Sequence, residues 1–202
     1  MTTITAIDEL AREAATCTKC RLSAGRIQVV FGVGHPEAEL MFIGEAPGFH
    51  EDKQGEPFVG AAGQLLTTLL GEIGLRREDV YIANVLKCHP PGNRDPMPDE
   101  IESCRPYLQR QIEMVNPRII MTLGNFATRY MLDRPVGISR ARGQKYHVDG
   151  RIVVPTFHPA AILRGGGAAS KQMADVRADF ALVKETLADR PEPVEEQLGL
   201  FG

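Results

Sequence analysis

Apolar positions along this chain follow two alternating periods. Four short runs are almost continuously apolar: Glu39–Ile43 (ELMFI, closed by Gly44), Val80–Leu86, Arg118–Leu123 and Ile152–Phe157. Runs of this length, bounded by turn residues, predict buried strands. Between them the apolar residues recur at helical spacing. Thr5–Thr16 brings Ile7, Leu10, Ala11 and Ala14 to one side, and Gln64–Ile73 ends at Gly74, a residue suited to the left-handed turn after a helix. Pro98–Val115 opens on proline and aligns Ile101, Leu108, Ile112 and Val115. Asn125–Leu132 and Lys171–Leu187 are predicted as further helices, and Lys145–Val148 as an edge hairpin arm. Strands alternating with helices predict an α/β fold, with a mainly parallel sheet covered on both faces. No internal repeat interrupts the pattern.

Composition narrows the class. The chain has 202 residues, 43% apolar and 24% charged, which is ordinary for a globular protein with an ample core. One domain over residues 1–188 is expected. The tail from Asp189 (DRPEPVEEQ) is Pro-rich and acidic and is predicted to be disordered. The first 16 residues carry acids and no apolar secretory core, and no stretch approaches 18 uninterrupted apolar residues. The expectation is a cytoplasmic protein with no membrane segment, in a reducing environment where paired cysteines serve metals more than disulfides. The net charge of −3 hides an asymmetry: Arg134–Arg177 holds eight Lys or Arg against Asp149 and Asp175, a local +6 that leaves −9 elsewhere. Such a field suits a phosphate backbone held against one face, or is simply a solvated basic surface.

All four cysteines fall into two sets, a C-x2-C knuckle (Cys17, Cys20) and a C-x15-C pair (Cys88, Cys104). Cys104 alone, on the apolar stripe of its helix, reads as a core residue. With the knuckle and Cys88 it reads as the fourth ligand of a metal site. Zinc usually takes two closely spaced pairs, whereas an iron–sulfur cluster itself spans wide gaps, so the spacing leans to a four-iron cluster.

Three polar loops follow predicted strands, the place where open parallel sheets bind ligands. They are Gly44-Glu-Ala-Pro-Gly48 with its continuation to Gly60, the segment from Asn84 through Lys87-Cys-His-Pro-Pro-Gly-Asn-Arg94, and His158-Pro-Ala-Ala-Ile-Leu-Arg164. Their convergence would make one pocket.

The motifs GEAPGFHED, GEPFVGAAGQLL, NVLKCHPPGNR and HPAAILR, with the cysteine spacing, resemble those of the family 4 uracil-DNA glycosylases from about Cys17 to Leu187. The resemblance implies a three-layer α/β/α fold around a central parallel four-stranded sheet, and a structural 4Fe-4S cluster on Cys17, Cys20, Cys88 and Cys104. It also implies a partner, DNA containing uracil, and a reaction, hydrolysis of the N-glycosidic bond to leave an abasic site. In that light Phe58 is the stacking face for a flipped uracil, with a core aromatic as the alternative. Asn84 reads the O4 and N3–H edge, since a carboxamide offers an acceptor and a donor together. Glu51 stands where the thymine methyl would intrude, and His158 donates to O2 as negative charge grows on the leaving base. Backbone N–H groups of the Gly44–Gly48 loop assist. The best-known relatives carry Asp directly before the proline of the first motif. Ala46 stands there instead, which leaves adjacent Glu45 either to orient water or to anchor the loop. Ile162 is either an apolar wedge that fills the gap left by the flipped base or a helix core residue. Arg140, Arg142, Arg164 and Lys171 are candidate DNA contacts.

The terminal Gln197-Leu198-Gly-Leu200-Phe201 resembles the short peptide by which bacterial repair proteins bind the replication sliding clamp, with a chance apolar tail as the alternative. The protein is expected to be a monomer near the nucleoid. Three other functions compete: a metal-containing DNA-binding module without catalysis, a nucleotide-binding protein, and the covalent uracil-trapping branch of the superfamily. That last branch needs a reactive His in the loop that here reads Pro90–Pro98 and has none.

Overall fold

The computed structural model describes residues 2–189. The elements run in the order α1 (Thr3–Ala15), β1 (Val33–Gly34), β2 (Leu40–Gly44), α2 (Phe49–Gln54), α3 (Ala61–Glu72), β3 (Tyr81–Asn84) and α4 (Pro98–Val115). They continue with β4 (Ile119–Leu123), α5 (Asn125–Leu132), α6 (Ile138–Ala141), β5 (Tyr146–Val148), β6 (Arg151–Thr156), α7 (Pro159–Arg164) and α8 (Gln172–Ala188). The motif at Gln197, Leu198, Leu200 and Phe201 lies outside the described residues. Among the described residues no helix is long and apolar enough to cross a membrane.

The sheet has six strands in the order β1-β3-β2-β4-β6-β5. The expected four parallel strands are present as β3, β2, β4 and β6, and an antiparallel strand extends each edge. The β5–β6 hairpin turns through Asp149 and Gly150, both at positive φ (47° and 75°), the backbone that joins two twisted strands directly. β1 spans two residues and is too short to leave a period in the sequence.

Strands β2, β3 and β4 are buried along their whole length, so their residues divide between two cores by alternation. Leu40, Phe42, Ile82, Ile119 and Met121 face one side and meet α3 and α8, where Phe42 stacks on Phe180 at 5.8 Å. Met41, Ile43, Tyr81, Ala83 and Ile120 face the other and meet α1, α4 and α5. The chain leaves β2 for β3 on one side and returns to β4 on the other. The carboxyl ends of β2 and β4 therefore flank a topological switch point, with the ends of β3 and β6 beside it.

Two residues assigned to DNA by sequence are used by the fold instead. Ile162 on α7 is fully buried in the α3–α8 core, so the helix-core alternative holds and the wedge does not. Arg142 turns inward: its Nε and Nη2 donate to the buried carboxylate of Asp179 at 2.9 and 2.6 Å, and its Nη1 lies 3.2 Å from Asp175. Asp179 also accepts from the Thr156 hydroxyl at 2.7 Å, which joins α8 to the end of β6. Removing one member of such a buried pair strands the other. Asp179→Ala should lower unfolding free energy by about 3 kcal/mol, and replacing the pair by Met and Leu should recover most of that loss in urea denaturation.

Candidate active site

The carboxyl ends of the parallel strands deliver all three polar loops to one open cleft of about 730 Å³. Gly44 ends β2 and sits in register with Asn84, the last residue of β3. A Cβ on Gly44 would overlap Asn84 Oδ1 and lie 2.6 Å from Phe58 Cζ, so the absent side chain is what lets the amide and the ring meet at the strand ends. Asn84 is buried, its main-chain oxygen accepts from Lys87 Nζ at 2.8 Å, and its side-chain Oδ1 has no hydrogen-bond partner. A buried acceptor without a donor is costly unless something else satisfies it.

Phe58 adopts φ +56°, a left-handed backbone unusual for a bulky residue. Two flanking contacts hold it there. Glu51 Oε1 accepts from the N–H groups of Val59 and Gly60 at 3.0 and 3.1 Å, and Arg77 Nη2 donates to the Pro57 carbonyl at 2.9 Å. The Phe58 ring then stacks beside the His158 imidazole, 5.7 Å between centroids and 28° between planes.

His158 caps α7. Its Nδ1 accepts from the Ala160 N–H at 3.1 Å, so the proton of the neutral ring resides on Nε2. Burial, and then the nearby Arg164 cation, push its pKa down to about 4. At neutral pH the ring is an uncharged donor. Glu45 behaves oppositely: burial, and then the Asp95 carboxylate, raise it to about 7 against the pull of Arg164. Among the described residues no N–H group donates to the Glu45 carboxylate, so the loop-anchoring alternative has no contact behind it. Ala46 lines the cleft and also packs against the cysteine cluster of side chains.

Cys17, Cys20, Cys88 and Cys104 line a single small pocket. Arg26 Nη1 donates to Cys88 Sγ at 3.4 Å, and the Lys87 N–H donates to Cys104 Sγ at 3.5 Å. Burial pushes the Cys88 thiol up to about 11. Among the described residues no three His, Cys, Asp or Glu side chains group closely enough to hold one metal ion.

Of the expected DNA contacts, Arg164 lines the cleft, while Arg140 on α6 and Lys171 before α8 are exposed. Sequence reasoning missed α2, whose six residues fall inside the first polar loop, and the roles of Arg77 and Asp95. It also missed Leu163, the exposed apolar residue of α7 next to buried Ile162. A helical wheel of HPAAILR separates Ile162 from Leu163, but only the orientation of α7 on the sheet says which one faces out.

The family model for the uracil DNA glycosylase superfamily matches residues 31–181. The chain belongs to the uracil-DNA glycosylase superfamily. Within that superfamily it is 50% identical over 165 residues to a type-4 uracil-DNA glycosylase of Archaeoglobus fulgidus, covering 78% of this chain and 83% of the relative. It is 47% identical over 194 residues to that of Saccharolobus solfataricus, covering 92% and 88%. A type-5 uracil-DNA glycosylase of Thermus thermophilus is 33% identical over 116 residues, about half of each chain. The superfamily match takes in the cleft and two of the cysteines, Cys88 and Cys104, but begins after Cys17 and Cys20.

Proposed function

We propose that this protein is a DNA-repair glycosylase that hydrolyses the bond between uracil and deoxyribose and leaves an abasic site. The observation that carries the reading is the unpartnered Asn84 Oδ1, buried at the end of a cleft whose wall presents the His158 Nε2–H. Uracil N3–H supplies the missing donor, and the Asn84 amide N–H donates to O4. Cytosine presents the reverse pair and leaves both groups unsatisfied, a strong basis for rejection. Extruding the base from the stack costs a few kcal/mol, offset by stacking on Phe58. Glu51, held against the Phe58 loop, excludes the thymine methyl.

Cleavage builds positive charge on the sugar and negative charge on the base. The neutral His158 donates to O2 as that charge grows and is already oriented by its capping bond, so no reorganisation accompanies the step. Glu45, in its ionised form, orients the attacking water. Arg140, Arg164 and Lys171 hold phosphates, and Leu163 takes the wedge role that buried Ile162 does not fill. Covalent trapping is disfavoured by His89, whose Nε2 lies 3.0 Å from Asn93 Oδ1, its Nδ1 being on the side of Asp52.

A structural 4Fe-4S cluster on Cys17, Cys20, Cys88 and Cys104 fits the cavity these residues share. Four thiols around one space, too dispersed for a single ion, suit a cluster that spans the gaps. Arg26 and buried Lys87 supply positive charge beside ligands that are thiolates when iron is bound. When bound, the cluster supplies a rigid cross-link and no redox step. The tail residues Gln197, Leu198, Leu200 and Phe201 are proposed to engage a sliding clamp, with the domain acting as a monomer.

A uracil-containing oligonucleotide treated with the protein should become alkali-labile at uracil. An SDS-stable adduct instead would favour the trapping reaction, and no strand scission would favour a binding module. Because the raised pKa of Glu45 leaves its carboxylate present above about pH 7 and protonated below, the single-turnover rate should climb through pH 6–7 and level off near 8. Glu45→Gln should flatten that rise and slow cleavage, and an unchanged profile would remove Glu45 from the chemistry. The aerobically purified protein should show a broad visible iron–sulfur absorption, lost in Cys88→Ala together with folding or DNA binding. Deleting residues 196–202 should abolish clamp pull-down and leave cleavage of short oligonucleotides intact. Loss of both would make the tail part of the fold.

A further inference from the structure

Five large apolar side chains are exposed among the described residues (Ile4, Ile27, Phe49, Met97 and Leu163), and of these Phe49 alone lines the cleft. It opens α2, directly after the Gly44–Gly48 loop, and is 51% exposed, whereas Phe58 in the interior of the cleft is 6% exposed. The two rings therefore stand at different depths along one cleft. Phe49 is not anchored in an apolar core. Its neighbours are polar: the Lys53 ammonium lies 4.5 Å from the ring centroid, and the His50 ring meets it edge-on at 5.6 Å and 76°. These contacts orient the ring while leaving half of it open to solvent at the mouth of the cleft.

An oriented aromatic ring with a cation over one face and half its surface open matches one ligand chemistry in particular, a nucleobase joined to a phosphate. Single-stranded nucleic acid is held by this pairing of stacking platforms with positive charge. Phe58 serves the base inside the cleft, so the rim platform is left for the next one along the strand. We infer that Phe49 stacks the nucleobase adjacent to the extruded uracil, with Lys53 on the phosphate beside it, forming a second base subsite at the rim. This inference rests on the uracil-DNA reading of the same cleft. The subsite favours a purine neighbour, because the larger face overlaps the ring more fully. It also gives the protein purchase on a strand that is already single, where the flanking base is free to leave its own stack.

The test uses the full-length protein and single-stranded oligonucleotides in which uracil carries a 2′-fluorinated, non-cleavable sugar and 2-aminopurine occupies one neighbouring position or the other. Binding should quench the 2-aminopurine emission at one of the two positions. Phe49→Ala should abolish the quenching and weaken Kd on the order of tenfold, and Phe49→Tyr should retain both. Lys53→Gln should lower the slope of log affinity against log salt by about 0.7, one phosphate on a single strand. Equal emission or equal affinity in Phe49→Ala and the parent protein would overturn the subsite. Alkali-labile cleavage of the ordinary uracil oligonucleotide by the parent protein is measured alongside. Its absence would overturn the glycosylase reading by itself, while the emission data continue to judge the stacking.

Discussion

The parallel pairing of β2 with β3 is the constraint on which the cleft depends. It sets Gly44 opposite Asn84, and the missing side chain at Gly44 brings the amide and the Phe58 ring together at the strand ends. Both strands are buried on both faces, so their register is fixed by every apolar residue along them: a slip of one would exchange the two cores. The position of the Asn84 amide is thus set by the whole sheet. That is the kind of support a recognition group needs if it is to discriminate by hydrogen bonding.

The cysteine cavity works on the same strand end from behind. Cys88 follows Asn84 by four residues, and the buried Nζ of Lys87 between them donates to the Asn84 carbonyl. Ala46 touches the cysteine side chains on one side and the cleft on the other. A second tie runs through Asp52, which is buried on α2 and accepts from the N–H groups of Ile27 and Gln28 in the segment after the C-x2-C knuckle. Glu51, its neighbour, carries the constraint on to Val59 and Gly60. The cysteine site is therefore joined to both walls of the cleft by short paths of covalent and hydrogen bonds.

Much of this was legible in the sequence because it follows from local pattern. Continuous apolar runs mark β2, β3 and β4, proline and caps mark α4, and polar residues after strands mark the loops that meet in the cleft. What escaped depends on long-range packing. Arg142 and Asp179 are 37 residues apart, and nothing in a basic stretch says that one arginine points inward. Ile162 and Leu163 differ only in which side of α7 meets the core. The two-residue β1 and the six-residue α2 are shorter than any period the chain can display. The protonation of Glu45 and the tautomer of His158 are likewise products of burial and of a single capping bond.

That capping bond has a mechanical side. The hydrogen bond from the Ala160 N–H to His158 Nδ1 begins α7, and α7 ends at exposed Leu163 and at Arg164, which lines the cleft. The ring and the helix are one piece, joined at His158 and pinned to the core by buried Ile162. The imidazole therefore has no hinge of its own: the turn that starts the helix also sets the angle at which the ring enters the cleft.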